Sequence, residues 1–340
     1  MYINYYDIIQ LSSKLNRKRL GNALKIFHSY IRSRKTGQPM MKGYPISISL
    51  EPTTSCNLGC PECPSGLRAF TRPTGKLQAD LYKKIIDEIS CNTSYITFYF
   101  QGEPYLNPDF LNMVSYANQQ RIYTTTSTNA HFLNFKNAEK TIRSGLNRLI
   151  ISIDGTTQET YQSYRKKGSL ARVLEATKVM VKLKKKMKAK SPLVLWQFLV
   201  VKPNEHQIGE AKRMAKELGV DRIAFKTAQV YDYEYGNDLI PTLDKYSRYR
   251  ENVDGTFSIK NKLLNHCWKM WSSCVITWDG KVVPCCFDKD ALYVMGDLRK
   301  HTFKDVWNSD AYYTFRKTLL KGRRKIEMCR NCTEGSKVWA

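Results

Sequence analysis

From about residue 45 onward, the chain alternates between short β-branched or aromatic runs and longer amphipathic stretches. The short runs are typical of buried strands, whereas the longer stretches repeat apolar residues at helical spacing. Strands are predicted at residues 46–51, 95–100, 122–126, 149–153, 193–201 and 222–226. Helices are predicted between them at residues 80–90, 109–119, 135–145, 170–187 and 206–218. This alternation indicates parallel βαβ units, so the predicted fold class is α/β with a partial (β/α)6 TIM-like barrel.

The limits of this pattern divide the chain into three predicted segments. Residues 1–44 precede it as a basic amphipathic N-terminal extension, and residues 45–235 contain the barrel. After about residue 235 the alternation fails, and residues 236–340 hold six of the ten cysteines. Within them, residues 275–284 are hairpin-like around an Asp-Gly pair. The last segment is therefore predicted to be a small cysteine-rich domain.

In the N-terminal extension, apolar residues recur at helical spacing between lysines and arginines. They are Leu20, Leu24, Phe27 and Ile31. A basic amphipathic helix of this kind either packs on a core or lies on a membrane surface. Packing on the main domain is the expected arrangement.

The formal charge of +25 restricts the partners only broadly. Basic residues cluster in the N-terminal extension, at 178–190 and at 321–325. Such clusters favour nucleic acid, a phospholipid surface or an acidic or phosphorylated substrate. Solvated helix faces also account for these clusters, so the charge alone does not identify a partner. No apolar run approaches the roughly 20 residues that span a bilayer, and a cytoplasmic protein is expected.

Three cysteines follow the first predicted strand, and they carry the chemistry. Cys56, Cys60 and Cys63 lie on one loop, where three thiolates suit a soft metal centre. A 4Fe–4S cluster has four irons, so three cysteine ligands leave one iron open. Zinc prefers four closed ligands in structural sites, and no fourth Cys or His lies nearby. No secretory signal pattern precedes the loop, which argues against disulfides.

The C-x3-C-x2-C spacing of these cysteines resembles the signature of the radical S-adenosylmethionine (SAM) superfamily. The resemblance implies that SAM takes the open iron and that its cleavage supplies a radical. Gln101-Gly102-Glu103-Pro104 follows the second strand and resembles the family's Gly-Gly-Glu-Pro element, which receives the SAM amino group. Glu103 can accept hydrogen bonds from an ammonium.

Polar residues at further strand ends resemble the family's contacts to SAM. The residues so implied, together with Gly102 and Glu103, are Asn129, Ser152, Asp154, Arg165 and Gln197. Arg165 suits the SAM carboxylate in fork geometry, and Arg172 competes with it for that role. One departure is Glu62, since similar proteins carry an aromatic residue against adenine at this position.

A second cysteine set lies in the C-terminal segment. Its members are Cys267, Cys285, Cys329 and Cys332. A Gly-x4-Cys element ends at the second of them and a C-x2-C pair forms the last two. The set resembles the SPASM group in its shortened twitch form, which implies one auxiliary 4Fe–4S cluster. Four thiolates suit structural zinc equally well on chemistry alone, and Cys274 and Cys286 are alternative ligands.

Full four-cysteine ligation leaves no open iron for substrate, so the auxiliary cluster is expected to accept an electron. A substrate radical that loses a proton and an electron becomes an oxidised product. The resemblance to anaerobic sulfatase-maturating enzymes and to 2-deoxy-scyllo-inosamine dehydrogenase points the same way. The expected substrate is a carbohydrate, a cyclitol or another small molecule, including phosphate- or lipid-linked forms. A peptide or protein substrate is the alternative.

The expected cofactors are thus SAM and two 4Fe–4S clusters, and the expected electron donor is a flavodoxin or ferredoxin. Peripheral contact with an anionic membrane surface fits the basic extension. From a different class, a zinc-dependent nucleic-acid-binding module without catalysis is the competing hypothesis. A nucleic-acid partner is the less favoured expectation. No catalytic base is identifiable, although residues 231–235 follow the sixth strand and are candidates for the substrate side.

Overall fold

The computed structural model describes residues 5–334, in which the strands form one large sheet and one two-stranded ribbon. The strands are β1 (Ser47–Leu50), β2 (Tyr95–Thr97), β3 (Tyr123–Thr128), β4 (Arg148–Ser152), β5 (Leu193–Val200), β6 (Arg222–Thr227), β7 (Tyr249–Glu251), β8 (Phe257–Ile259), β9 (Ser273–Ile276), β10 (Lys281–Val283) and β11 (Gly296–Asp297). The large sheet has the order β11-β10-β9-β1-β2-β3-β4-β5-β6, and β7 pairs with β8.

Helices precede, connect and follow the parallel strands. They are α1 (Tyr5–Ser13), α2 (Arg17–Thr36), α3 (Pro64–Leu67), α4 (Ala79–Ile89), α5 (Phe110–Gln119), α6 (Phe135–Arg143), α7 (Gln158–Tyr164), α8 (Leu170–Lys186), α9 (Ile208–Glu217), α10 (Lys269–Ser272), α11 (Phe303–Trp307), α12 (Asp310–Gly322) and α13 (Glu327–Arg330).

The six strands β1 to β6 are parallel neighbours, which confirms the predicted partial barrel. Alternation along each strand decides which side chains face the helices. On β1, Ile48 and Leu50 are buried in the core between the sheet and the helices. The intervening Ser47 and Ser49 lie on the opposite, inner face, as the period of two requires. The predicted strands and helices of this region are all present, with ends that differ by a few residues.

The C-terminal part of the chain extends the same sheet. Strand β9 pairs in parallel with β1, and β10 and β11 follow in antiparallel order. The predicted hairpin around Asp279-Gly280 is confirmed as the β9–β10 connection. Its attachment to β1 brings the C-terminal cysteines beside the first strand. The segment limits 1–44, 45–235 and 236–340 stay a prediction.

The N-terminal helix α2 packs on the main domain through a different face from the predicted one. Of the predicted stripe, Ile31 packs partly buried against the core, whereas Leu20, Leu24 and Phe27 are 50%, 70% and 42% exposed, with the Phe27 ring edge-on to Trp268. The expectation that the stripe forms the packed face was therefore wrong for most of its length. The buried apolar residues are Ile26 and Tyr30. The ring of Tyr30 makes edge-to-face contacts with two tryptophans of the C-terminal part.

Polar side chains explain why the apolar pattern of α2 was misleading. The buried Arg19 guanidinium donates to the backbone carbonyls of Lys14, Ser90 and Gln120 at 2.6 to 2.9 Å. Asn22 donates to the Tyr44 carbonyl at 2.8 Å. A buried polar group is tolerated where hydrogen bonds replace those lost to water. These bonds to distant loops orient α2 and leave its apolar stripe outside.

Candidate active site

The three cysteines of the first set lie on the loop between β1 and α3, at the C-terminal end of the barrel strands. Cys60 is buried, whereas Cys56 and Cys63 are half-buried. The loop folds back tightly, since a Cβ at Gly66 would lie 2.6 Å from the Cys60 nitrogen. Burial raises the pKa of the Cys56 thiol to about 11 and also raises that of Cys60. Metal binding at this loop must therefore displace thiol protons.

The spacing of the thiols bears on the kind of metal centre. Among residues 5–334, no group of three or more Cys, His, Asp or Glu side chains is arranged to hold a single metal ion. The four ligands of one zinc ion converge on it at about 2.0–2.3 Å. The cysteines of a 4Fe–4S cluster bind different irons. Three cysteine ligands on one loop suit such a cluster, because the fourth iron is then left open.

Glu103 lies beside this loop and is almost completely buried, at 2% exposed. Its carboxylate accepts hydrogen bonds from the Thr128 hydroxyl at 2.7 Å and from the Asn129 backbone N–H at 2.8 Å. Both donors come from the end of β3, which thereby positions the carboxylate. Burial raises the pKa of Glu103 to about 7 because these bonds only partly replace hydration. An ammonium group placed here would favour the ionised form.

Gly102 allows the segment before Glu103 to approach the cysteine loop. Its φ is +74°, a left-handed conformation that glycine adopts without steric cost. A Cβ at this position would lie 2.2 Å from the Thr53 carbonyl oxygen. The Gly102 N–H donates a hydrogen bond to the Ser65 hydroxyl at 2.9 Å. Ser65 was missed by sequence reasoning, although it lies two residues beyond the third cysteine.

Asp154 and Arg165 form a buried ion pair on the other side of the loop. The Leu199 backbone N–H donates to Asp154 at 2.6 Å, and a guanidinium nitrogen of Arg165 lies 3.7 Å from the Cys60 sulfur. Arg165 therefore faces the cysteine loop. The competing Arg172 is exposed on α8. The geometry favours Arg165 for contact with a ligand at this loop.

The remaining candidates lie on the same inner surface. The Asn129 side-chain amide donates to the side-chain oxygen (Oδ1) of Asn57 at 2.8 Å and lies 3.9 Å from the Cys56 sulfur. Ser152 and Gln197 are register partners on β4 and β5. The Ser152 hydroxyl lies 3.4 Å from that of Ser127. Asn57 was not among the predicted site residues. Its position inside the cysteine loop, directly after Cys56, was the signal that could have indicated it.

The second cysteine set is brought together from three places in the C-terminal part. The thiol of Cys267 interacts electrostatically with those of Cys285, Cys329 and Cys332. Cys274 lies elsewhere, fully buried beside Tyr312 and Arg316 in the core behind β9. Its electrostatic partners are Arg316 and Tyr312 and not the other thiols, which favours Cys285 over Cys274 as a ligand.

Two further groups adjoin this set: Cys286, which the sequence offered as an alternative ligand, and Arg323, which it did not indicate. Cys286 adjoins Cys285 and interacts with Cys332, so it remains close to the group. The buried Arg323 guanidinium lies 3.1 Å from the Cys332 sulfur and donates to the Glu334 carbonyl at 2.7 Å. A buried cation beside thiolates offsets their negative charge. These four cysteines thus fit a negatively charged auxiliary cluster.

Glu62 takes part in a contact that differs from the aromatic packing seen in similar sequences. Its carboxylate accepts the Tyr231 backbone N–H at 2.9 Å. The Lys289 ammonium lies over the Tyr231 ring, 4.6 Å from its centroid, and 3.4 Å from the Glu62 carbonyl oxygen. This contact joins the first cysteine loop to the segment after β6 and to the C-terminal part.

Comparisons with known proteins agree with this geometry. The family described as "Radical SAM superfamily" matches residues 50–215. The SPASM family, described as "Iron-sulfur cluster-binding domain", matches residues 267–333. The chain belongs to the radical SAM superfamily and carries a SPASM domain. It is therefore an enzyme that uses SAM with a 4Fe–4S cluster, and the SPASM domain implies auxiliary iron–sulfur binding.

Curated relatives cover most of the chain at low identity. An AdoMet-dependent heme synthase of Methanosarcina barkeri is 25% identical over 86% of this chain and 92% of its own. A PqqA peptide cyclase of Gluconobacter oxydans is 24% identical over 87% and 84%. The 2-deoxy-scyllo-inosamine dehydrogenase of Niallia circulans is 23% identical over 85% and 93%. These relatives act on different kinds of molecule.

Solved structures share the fold. SuiB of Streptococcus suis bound to S-adenosylmethionine has a TM-score of 0.63 at 16% identity, over 91% of this chain and 76% of that chain. BtrN in complex with AdoMet and 2-DOIA has a TM-score of 0.53 at 20% identity, over 87% of this chain and 95% of that chain.

In the part of the chain that the structure describes, no helix has the length and apolar character needed to cross a membrane.

Proposed function

We propose that this enzyme oxidises a carbohydrate, a cyclitol or another small molecule, with an auxiliary cluster as the electron acceptor. When bound, SAM and the reduced first cluster supply a 5′-deoxyadenosyl radical that abstracts a substrate hydrogen atom. The observation that carries the proposal is the second cysteine set, in which Cys267 interacts with three further thiols beside Arg323. Four thiolates saturate a cluster and leave it to accept an electron.

The residues of the first site divide into cluster ligands and SAM contacts in this proposal. The ligands of the first cluster are Cys56, Cys60 and Cys63, and those of the auxiliary cluster are Cys267, Cys285, Cys329 and Cys332. The proposed SAM contacts are Gly102, Glu103, Asn129, Ser152, Asp154, Arg165 and Gln197. Supporting this division, the Glu103 carboxylate and the Asp154–Arg165 pair lie beside the first cysteine loop. The external electron donor would be a flavodoxin or ferredoxin.

The described N-terminal segment supports a small-molecule substrate over a peptide. Residues 5–36 form two helices that pack on the main domain and contribute no strand to the sheet. Asp7 of α1 pairs with Arg148 at the start of β4, away from the cysteine loop. The region thus offers no β-strand edge for a bound leader peptide. A peptide or protein maturase remains the second proposal, since a peptide cyclase is among the relatives.

The test uses protein reconstituted anaerobically with iron and sulfide, then reduced in the presence of SAM. We expect 5′-deoxyadenosine, and we expect none from Cys60→Ser. Deuterium transfer from labelled 2-deoxy-scyllo-inosamine, other aminocyclitols or sugar phosphates into 5′-deoxyadenosine would identify the substrate class. Transfer from a peptide library alone would favour the maturase. If the protein retains only zinc and forms no 5′-deoxyadenosine, the proposed SAM-dependent oxidation is rejected.

We also propose that the enzyme is cytoplasmic and makes peripheral contact with an anionic membrane. The exposed stripe of Leu20, Leu24 and Phe27 on α2 supports this, because the exposed Arg17 and Lys25 flank it. Each basic residue near an anionic surface contributes about 1 kcal/mol. Vesicles with and without phosphatidylserine test the contact by co-sedimentation. Equal recovery of wild type and a Leu24→Gln/Phe27→Gln variant would count against it.

A further inference from the structure

Four basic side chains surround the space between the two cysteine sets, and the fold brings them from four different places. They are Lys226 at the end of β6, Arg248 before β7, Lys269 of α10 and Lys289 after β10. Glu334 interacts electrostatically with the first three. Lys289 interacts with Arg248, with Cys63 of the first set and with Cys286 beside the second. Lys289 thus lies near both cysteine sets, and Arg248 lies near Lys289.

Arg248 is anchored on one side only. Its Nε donates to the Thr227 carbonyl at 3.2 Å and to the Thr227 hydroxyl at 2.9 Å. Its Nη1 is buried and has no hydrogen-bond partner among residues 5–334. A buried donor without an acceptor is costly, and such groups in native proteins require an explanation. A hydrogen-bond acceptor on a bound ligand would be such an explanation.

Lys289 is also incompletely satisfied. Its ammonium contacts the face of Tyr231 and makes one long 3.4 Å contact with the Glu62 carbonyl oxygen. Burial lowers the pKa of Lys289, as is expected of an ammonium that has lost hydration. An ammonium has three N–H donors, so further acceptors can be accommodated.

The acidic groups nearby are already engaged elsewhere. Glu334 forms an ion pair with Lys269. Glu62 accepts the Tyr231 N–H, and Asp290 accepts the backbone N–H of Thr71 at 3.0 Å. Arg248 and Lys289 feel the fields of Glu334 and Glu62, but among residues 5–334 neither forms a direct ion pair like that of Lys269. The local charge balance favours an anionic ligand.

We propose that Arg248 and Lys289 bind a phosphate group of the substrate and thereby position it between the two clusters. This inference rests on the proposed function and deepens it by naming the substrate class. A guanidinium offers parallel N–H donors that match phosphate oxygens, and a lysine adds a point charge. Two or more cations suit a dianionic phosphate better than a singly charged carboxylate. The binding contacts involve no covalent step.

Binding of inorganic phosphate to the reconstituted holoenzyme in the presence of SAM provides the test, measured by isothermal titration calorimetry. We expect Arg248→Gln and Lys289→Met each to weaken phosphate binding at least tenfold. Lys289→Arg should retain most of the affinity, which separates charge from folding. Arg250→Gln is the matched control, because Arg250 lies two residues away, is exposed and donates to Ser258. We expect it to bind as wild type does.

Phosphate binding that is absent in wild type, or equal in wild type and both variants, would overturn the inference. Acetate binding as tight as phosphate binding would also overturn it, since a carboxylate would then be the better ligand. Iron content and thermal unfolding of each variant establish that the clusters and the fold are retained. Formation of 5′-deoxyadenosine by wild type and Arg250→Gln tests the proposed function separately. If wild type forms no 5′-deoxyadenosine but still binds phosphate, the proposed function is rejected and the phosphate site is not.

Discussion

Replacement of Glu103 by glutamine should change how stability depends on pH. The folded pKa of Glu103 is about 7, raised by burial from the ordinary value of 4.5. The folded state therefore holds this proton more tightly than the unfolded state. Stability falls as pH rises from about 4.5 to about 7 and levels off above that. At about 1.36 kcal/mol for each pH unit, the loss between pH 5 and pH 8 is about 2.5 kcal/mol.

Glutamine does not ionise and matches the shape of the protonated carboxyl. We therefore expect Glu103→Gln to gain about 2.5 kcal/mol of unfolding free energy relative to wild type between pH 5 and pH 8. Urea unfolding of both metal-free proteins at several pH values provides the comparison, because titration of other groups cancels in the difference. Parallel pH profiles for the two proteins would refute the reasoning. An ionised Glu103 is also the better partner for an ammonium, so SAM binding by wild type should weaken below pH 7.

Three further predictions concern the loops and the second cysteine set. Gly102→Ala should destabilise the protein by more than about 2 kcal/mol in thermal unfolding, because the new Cβ would overlap the Thr53 carbonyl. Gly209→Ala is the control, since nothing lies within 4 Å of a Cβ there. It should change stability by at most about 1 kcal/mol. Cys285→Ser should lower the iron content after reconstitution, whereas Cys274→Ser should not; equal losses would show that our assignment of the ligands is wrong. Arg323→Gln should make the auxiliary cluster harder to reduce, because a buried cation no longer offsets the charge of the added electron. Potentiometric titration followed by EPR measures the reduction potential. An unchanged potential would mean that Arg323 has no such role.

The sequence was most informative where chemistry and structure are local. The C-x3-C-x2-C loop and the Gly102-Glu103 turn follow strand ends, and a parallel barrel collects strand ends at one face. Their neighbourhood was therefore predictable from order along the chain. Arg165 could not be separated from Arg172 in this way, because both follow β4 closely. Burial against Asp154 and the Cys60 thiol distinguishes them.

The α2 helix shows the opposite case. Its apolar stripe was visible in the sequence, but the side that packs was decided by hydrogen bonds of Arg19 and Asn22 to carbonyls far along the chain. Helical periodicity contains no information about such partners. A polar side chain is buried only where distant groups accept its hydrogen bonds.

By itself, the sequence determined the order of strands and helices, the two cysteine sets and the class of chemistry, since each depends on residue type and spacing within one segment. Tertiary structure alone decided that β9 joins β1, that Cys274 is buried beside Tyr312 and Arg316, and that Arg248 and Lys289 lie near each other. These features depend on pairing between segments that are far apart in the chain. Their geometry arises only when the sheet and its core assemble together.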